Sequence, residues 1–519
     1  MNLLTEALLR VRTRTGATVM SLPELLEAHG RDDVESLTGI QRFQQEAFHV
    51  FLCSLAAAAM VRAGVTDPVQ SAAFWRTALS RLSPAGDRAW ELVGDDIKDV
   101  AFLQPPLPDV ARLGEVPDAE AADALDLLPG KNHDLKRARA YASDPDAWVY
   151  ALVSLQTMSG YYGRGWYGIA RMNGGSGNRV VVELTTSLRP GRRWLDAVPR
   201  LLAHRQQVLA GPLRYDPTGI VLCWQEPWDG KTALSLEALD PFFVEVSRRV
   251  RIVERRGRLA AFTWPSHVPR IEAEALNGVV GDPWEPVDLK KPGKNGNPKV
   301  LTPGPQGLDP DLLRRLIFQD GLQMSALQSP GDDWRGDSWL VVSVLVRGQG
   351  TTDGFHERVI PIPPPVRACL FGPMERRQSL AALAKGAVEY GGKMRRFVLW
   401  PSLNTLVGAG TSTGRDADEA WAATWTRRFD RSWADDLFPW LWRQAGSPEA
   451  RVLDQEWFPI LRERAFAVLR GAMDSMPQRV GRRYKARAVA ESEFRRRLFA
   501  KNAFADLKGA VGHDSSAAV

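Results

Sequence analysis

The chain has 519 residues, of which 44% are hydrophobic and 25% charged, a composition typical of a globular protein with two or more domains. The net charge is +6, but residues 1–130 hold 11 basic and 19 acidic side chains (−8), so the remaining 389 residues carry +14, a charge that favours a polyanionic partner. There is no signal-peptide pattern and no run of the ~18 apolar residues that span a bilayer, so we expect a cytoplasmic protein with no membrane partner.

The N-terminal part of the chain is predicted to be mixed in secondary structure. Apolar residues recur at helical spacing over 43–62 and 70–82, and a third helix is predicted over 146–159. Strands are predicted over 178–186, 242–253, 258–264, 339–347 and 357–362. These elements predict an α+β fold, and residues 1–365 are taken as one large mixed domain.

After the prolines at 363–365 the pattern changes to amphipathic helices. In one of these helices a single apolar stripe is predicted, formed by Trp457, Leu461, Ala465, Val468, Ala472 and Met476. Residues 366–507 are therefore predicted to form a C-terminal helical bundle of the four-helix type. Residues 508–519 are expected to be a disordered tail.

Patterns for catalysis or metal binding are weak. The three cysteines stand singly, and we expect them to be buried and inert, with no metal and no cofactor. His133 and Asp134 form one His-Asp pair, which leaves a metal-dependent nuclease as an alternative. Residues 163–168 spell GxGxxG, but a helix is predicted before them, which is the wrong context for a dinucleotide site. We therefore predict no catalytic residues and no enzyme.

Four segments have chemistry suited to nucleic acid. The basic loop at 131–137 offers Lys131, Asn132, His133, Lys136 and Arg137. The glycine run at 160–177 offers backbone at Gly163 and Gly165 with Arg164 and Arg171, and the loop at 290–299 offers Lys290, Lys291 and Lys294. Residues 479–501 hold nine basic and two acidic side chains, among them Arg482, Arg483, Lys485, Arg487, Arg495 and Arg496. A solvated surface loop or helix face is the alternative for each segment.

Taken in order, several segments resemble one family, CasA, the large subunit of the type I-E CRISPR Cascade complex. They are residues 1–5 (MNLLT), 19–26 (VMSLPELL), 101–105 (AFLQP), 127–133 (LLPGKNH), 155–157 (LQT), the glycine run and 435–439 (DDLFP). The resemblance implies a crRNA-guided complex with the other Cascade subunits. In that complex the large subunit recognises a protospacer-adjacent motif in double-stranded target DNA, promotes duplex opening and helps recruit a helicase–nuclease.

The resemblance also implies residue roles. The loop at 131–137, the glycine turn at 163–165 and a lysine within 290–299 would contact the motif, and the C-terminal bundle would hold DNA backbone. Gln328 would be the strand-separating wedge, with Gln323 as its competitor. Some family members bind zinc through paired cysteines, which this chain lacks. A scaffold that binds nucleic acid without regard to sequence is the other alternative.

Overall fold

The computed structural model describes residues 1–125, 140–172, 177–348, 351–409, 415–446, 448–476 and 480–508. They divide into two units. The N-terminal unit comprises Met1–Leu308 and Gly321–Pro363, and the C-terminal unit comprises Asp309–Asp320 and the chain from Pro364 onward. The division at Pro363 falls inside the proline run that marks the boundary in the sequence. The sequence analysis did not predict that Asp309–Asp320 belongs to the C-terminal unit.

The helices of the N-terminal unit are α1 (Leu22–Gly30), α2 (Arg42–Ala63), α3 (Ala72–Ser80), α4 (Ala122–Leu125), α5 (Pro145–Met158) and α6 (Pro190–Leu209). Those of the C-terminal unit are α7 (Pro310–Phe318), α8 (Pro364–Phe371), α9 (Met374–Lys393), α10 (Trp400–Ala409), α11 (Arg415–Arg443), α12 (Phe458–Ser475) and α13 (Val480–Leu498). Short 3-10 turns lie at Gly86–Trp90, Leu236–Ala238, Glu274–Leu276, Ala326–Gln328 and Ala505–Leu507, and π-helical segments at Met394–Leu399 and Leu453–Trp457.

The strands all lie in the N-terminal unit among the described residues. They are β1 (Leu9–Thr13), β2 (Gly16–Met20), β3 (Val34–Leu37), β4 (Val180–Thr185), β5 (Ile220–Leu222), β6 (Leu234–Ser235), β7 (Leu239–Val244), β8 (Arg249–Arg255), β9 (Arg258–Trp264), β10 (Ile271–Glu272), β11 (Val287–Asp288), β12 (Lys299–Val300), β13 (Leu322–Gln323), β14 (Ser338–Gly348) and β15 (Thr351–Ile362). They form three-stranded sheets in the orders β2-β1-β3, β12-β11-β13 and β15-β14-β4, and the pairs β5-β7, β6-β10 and β8-β9. The predicted α+β class is confirmed.

Helix α2 forms the centre of the N-terminal core and packs against α5 and α6. Its alanines at 56–59 are fully buried, and their small side chains allow neighbouring elements to approach closely. Within the described residues α2 is the one helix long and apolar enough to cross a membrane, and 78% of its apolar window is buried in the protein. This burial identifies α2 as the core helix of the unit.

The β8-β9 hairpin turns at Arg256 and Gly257, which have φ of +53° and +73°. Two consecutive residues with positive φ form the type I′ turn whose twist suits a two-residue hairpin.

The sequence predicted one strand over 242–253, and that prediction is wrong. The chain forms β7 and β8 with a break at residues 245–248, where Glu245 and Arg248 point their buried side chains at the glycine run.

Helix α12 has a buried stripe that differs in part from the predicted one. Its buried residues are Phe458, Leu461, Ala465, Leu469, Ala472 and Met473, with Trp457 just before the helix. Val468 and Met476 are only half-buried. Over four turns the 3.6-residue repeat drifts, so Leu469 and Met473 occupy the inward positions.

Candidate nucleic-acid interface

The described start of the glycine run forms a tight turn at its tip. Gly163 and Trp166 pair as an isolated bridge, in which Trp166 N donates to Gly163 O at 3.0 Å and Tyr162 N donates to Trp166 O at 2.9 Å. Gly163 and Gly165 have φ of +134° and +89°, a region that other residues rarely adopt. Arg164 lies between them and is exposed, so the turn presents one cation at its tip.

The turn is packed against the segment after β9. Ser266 N donates to Gly165 O at 2.9 Å, and a Cβ at position 165 would meet Pro265 Cβ at 2.8 Å. The Tyr167 hydroxyl donates to His267 O at 2.9 Å. Glycine at 165 is therefore required by both the backbone conformation and the close approach of Pro265.

Arg248 holds the base of the same turn. Its side chain is buried, and Nη2 donates to Gly160 O at 2.7 Å while Nη1 donates to Tyr167 O. Its guanidinium carbon lies 5.5 Å from the centroid of the Tyr162 ring. Two backbone carbonyls on opposite sides of the turn therefore accept hydrogen bonds from one guanidinium, which anchors the turn. The alternative left open by the sequence was a mobile surface loop.

The sequence analysis expected Arg171 to add charge for a ligand, and the structure corrects that expectation. It is 8% exposed and pairs with Glu245 at 3.3 Å and with Asp282 at 3.0 Å. Glu245 also accepts a hydrogen bond from Ala170 N at 2.5 Å. Burial raises the pKa of the Glu245 carboxyl to about 7, although the Arg171 charge acts in the opposite direction. Arg171 therefore serves as an internal anchor for the end of the turn and is not available to a ligand.

The lysine loop, residues 290–299, is ordered by an aspartate at its start. Asp288 Oδ1 accepts hydrogen bonds from Lys290 N at 3.0 Å and Lys291 N at 3.1 Å. The side chains of Lys290, Lys291 and Lys294 are exposed, whereas Lys299 is half-buried in β12. The structure thus presents three cations on one short loop.

The segment Asn277–Gly278 joins the lysine loop to the glycine run. Asn277 Nδ2 donates to Asn295 Oδ1 at 2.7 Å inside the lysine loop. Gly278 has φ of +85°, and a Cβ there would meet Arg171 O at 2.8 Å. Two of the segments singled out in the sequence are therefore brought together through one backbone segment.

The side chain of Gln328 is occupied within the protein. It is 3% exposed, and its Oε1 accepts hydrogen bonds from Ser325 N at 2.9 Å and Ser325 Oγ at 3.3 Å. Arg200 donates to the carbonyls that flank it, Leu327 O at 3.1 Å and Ser329 O at 2.9 Å. Gln328 would have to leave this cap to act as a wedge, whereas the competing Gln323 is already exposed.

The basic loop predicted at 131–137 lies outside the described residues, and so do Lys131, Asn132, His133, Lys136 and Arg137. The chain on either side of it is held by Asp123, whose carboxylate accepts hydrogen bonds from Tyr141 N at 3.2 Å and Ala142 N at 3.1 Å. Asp123 therefore links the described residues that precede the gap to those that follow it.

Helix α13 carries the basic residues of the C-terminal segment on its exposed surface, while Ala486, Ala490, Phe494 and Leu498 are buried. Arg487 pairs with Asp474, Arg495 with Glu491, and Arg496 with Glu493. Arg482, Arg483 and Lys485 are exposed and make no ion pair with the residues that the structure describes. The cations of α13 thus fall into a neutralised group and a free group.

A buried ionic cluster in the N-terminal unit was missed by sequence reasoning. Arg193 donates to both carboxylate oxygens of Glu46 at 2.9 Å and to Glu183 at 2.6 Å, and His49 lies 2.9 Å from Glu183. The cluster borders a cavity of about 250 Å³. Charged residues far apart in sequence give no local signal of such pairing.

The three cysteines are buried, as predicted, and burial raises the pKa of each thiol. Among the described residues there is no group of three or more histidine, cysteine, aspartate or glutamate side chains that could hold a metal ion.

Comparison with known proteins gives similarity in structure alone. Neither a scan against models of protein families nor a search of curated proteins gives a match. The structure is similar to CasA (Cse1) of Thermus thermophilus, with a TM-score of 0.62, 18% identity, and coverage of 96% of this chain and 99% of that one.

Two further solved structures show the same similarity. Cse1 of Acidimicrobium ferrooxidans has a TM-score of 0.62 and 14% identity, covering 96% of this chain and 97% of that one. A chain of a CRISPR RNA-guided surveillance complex has a TM-score of 0.56 and 13% identity, covering 95% and 99%. This chain therefore has the Cse1/CasA fold along nearly its whole length.

Proposed function

We propose that this chain is the DNA-binding large subunit of a type I-E Cascade complex and works in the cytoplasm. It recognises the protospacer-adjacent motif in the minor groove, promotes duplex opening for crRNA pairing, and helps recruit the helicase–nuclease. Its partners are the other Cascade subunits, the crRNA and double-stranded target DNA. The similarity to a chain of an RNA-guided surveillance complex over 95% of this chain supports the proposal.

The observation that supports the proposal is that Asn277–Gly278 contacts both the lysine loop, at Asn295, and the glycine run, at Arg171 O. A minor groove is only about 6 Å wide, so the tip of the turn, where Gly163 lacks a Cβ and Arg164 carries one long exposed cation, suits it. Lysines 290, 291 and 294 suit the flanking phosphates, which position a protein without reading sequence.

The mechanism is one of binding, with no bond made or broken by this chain. Wedging open a base step costs on the order of a few kcal/mol. Groove and phosphate contacts offset this cost before guide pairing begins. Because Gln328 caps its own turn, the wedge role requires release of the Ser325 bonds, or it falls to the exposed Gln323.

The test is a binding assay of the guide-loaded complex with and without this chain, on duplexes that differ only in the base pairs flanking the matched segment. The proposal expects tighter binding with the chain, and a preference that follows the flanking base pairs. Binding that depends on salt but not on the flanking pairs would instead establish the sequence-independent scaffold.

Variants separate groove reading from phosphate attraction. Arg164→Ala should weaken binding and reduce the preference for the flanking pairs. The double variant Lys291→Ala/Lys294→Ala should weaken all duplexes alike and lower the salt slope by about 2, since each phosphate contact contributes about 0.9. Lys98→Ala removes an exposed lysine from the acidic N-terminal part and serves as the control.

A further inference from the structure

The cavity of about 250 Å³ beside the buried ionic cluster belongs to the N-terminal unit alone. Helices α1, α2 and α6 and strands β3, β14 and β15 all contribute side chains to its wall. None of these side chains has a role in the proposed DNA contacts. An apolar cavity of roughly 150 Å³ holds one benzene molecule, so this volume has room for a bicyclic ring.

His29 brings an unpartnered hydrogen-bond acceptor to the cavity wall. The side chain is 2% exposed, and its Nδ1 lies 2.9 Å from Leu25 O, which can only accept, so Nδ1 carries the proton. Burial lowers the pKa of His29 to about 4, so the ring is neutral at pH 7 and Nε2 keeps its lone pair. Nε2 makes no hydrogen bond with the residues that the structure describes. A buried acceptor without a donor is unfavourable, which favours a ligand with an N–H group.

Arg193 brings unused donors to the wall of the same cavity. A guanidinium has five N–H donors, and three of them are engaged here, one by Glu183 and two by Glu46. The other two have no acceptor among the described residues. Because Glu46 and Glu183 already balance the charge of Arg193, the free donors suit an uncharged acceptor such as a ring nitrogen or a carbonyl.

Apolar side chains form much of the remaining wall. Phe48 and Leu52 of α2 lie within it, and Leu188 and Val359 lie at its mouth, where they are 49% and 38% exposed. A water molecule would satisfy His29 but would leave this apolar surface uncovered. A flat ring with polar atoms along its edge meets both requirements, since its faces are apolar.

We propose that this cavity binds an uncharged heterocycle of the size of a purine, with an N–H donating to His29 Nε2 and a ring acceptor facing Arg193. The carboxylates of Glu35 and Glu46 in the wall are matched by the guanidinium groups of Arg42 and Arg193, which gives no preference for a charged ligand. A free purine base and a purine within a nucleic-acid strand share this ring. The inference does not rest on the proposed function, because it uses none of the same residues.

The experiment titrates adenine into the full-length chain and follows binding by saturation-transfer NMR. For a ligand this small the expected Kd is on the order of 0.1 to 1 mM. His29→Phe removes the acceptor but keeps a ring edge-to-face with Trp194, and it should weaken adenine binding on the order of tenfold. His29→Gln, whose amide oxygen can take the place of Nε2, should bind within about threefold of the wild-type chain.

A second variant does not touch the buried wall. Leu188→Trp places a larger side chain at the exposed mouth, so it should weaken adenine binding by about tenfold or more while leaving the melting temperature unchanged. Val19→Trp is the matched control, since Val19 is 46% exposed and lies in β2, away from the cavity wall. The control should bind adenine like the wild-type chain.

A deoxyadenosine oligonucleotide distinguishes the two sources of the ring. Displacement of bound adenine by the oligonucleotide would identify a base of a nucleic-acid strand as the ligand, and binding without displacement would identify a free base. Absence of adenine binding at about 5 mM would overturn the proposal, as expected if a side chain of a partner protein fills the cavity. Unchanged binding in both His29→Phe and Leu188→Trp would also overturn it, because adenine would then bind elsewhere.

Discussion

Substitution of Gly165 by alanine tests whether the geometry of the glycine turn matters. The residue has φ of +89°, and its new Cβ would lie 2.8 Å from Pro265 Cβ. A non-glycine residue in a sparsely populated backbone region costs about 1 to 3 kcal/mol, and overpacking about as much again. The turn can relieve roughly 2 to 6 kcal/mol of strain by moving away from Pro265, which breaks the bond from Ser266 N to Gly165 O.

Movement of the turn displaces Arg164, and loss of one charge-assisted hydrogen bond of about 1.5 to 3 kcal/mol corresponds to roughly 10- to 100-fold weaker binding. The assay is the Kd of the guide-loaded complex for its target duplex, together with the melting temperature of the free chain. Gly304→Ala is the control, because a Cβ there would meet nothing within 4 Å and its φ is not positive. If Gly165→Ala binds and melts like Gly304→Ala, the reasoning from the turn geometry is refuted.

Three further substitutions test the internal contacts. Burial opposes ionisation of Glu46 and Glu183, but Arg193 outweighs it and holds both pKa values below the ordinary range. Arg193→Met should therefore destabilise the N-terminal unit by about 3 to 5 kcal/mol at pH 7. The loss should be smaller below pH ~4.5, where the carboxyls of the variant and of the unfolded chain take up protons; equal melting-temperature losses at pH 4 and pH 7 would contradict it. The pKa of Glu245 is raised from 4.5 to about 7, so the stability it contributes is fully present below pH 4.5 and is lost as the pH rises through about 7. Glu245→Gln should remove that decline, a relative gain of up to about 3 kcal/mol by pH 8, and melting curves of the two proteins that run parallel from pH 5 to pH 8 would argue against it. Trp457→Ala should cost the C-terminal unit about 3 to 5 kcal/mol in denaturant unfolding, because the side chain is fully buried; a loss below about 1 kcal/mol would mean that the site collapses around the change.

The sequence by itself determined the secondary structure where periodicity is strong. The helix predicted over 43–62 is found as α2, and the one over 146–159 as α5, since each repeats apolar residues at one fixed spacing. The turn at 254–257 was equally readable, because Gly257 adopts a positive φ without strain. The absence of predicted strands after residue 362 agrees with the described part of the C-terminal unit.

The sequence also identified the glycine turn and the lysine loop as candidates, but not their connection. Local composition indicates which segments are flexible or charged. It does not indicate which segments, distant in sequence, contact each other in the folded chain. Asn277-Gly278 is a local turn signal, but it does not indicate which distant segments the turn contacts. Their importance comes from positive φ at both residues and from the approach of Arg171 O to Gly278, which only the assembled structure defines.

Tertiary structure alone decided which charges are available to a ligand. Arg171 and Arg164 look alike in the sequence, yet the first is buried against Glu245 and Asp282 while the second stands in solvent. Arg193 meets Glu46 across 147 residues of chain, a distance over which periodicity predicts nothing. The free energy of a charge depends on its burial and its partner, and both are properties of packing between elements. The sequence therefore specified the elements and their charge, and the fold determined which of those charges remain free to bind.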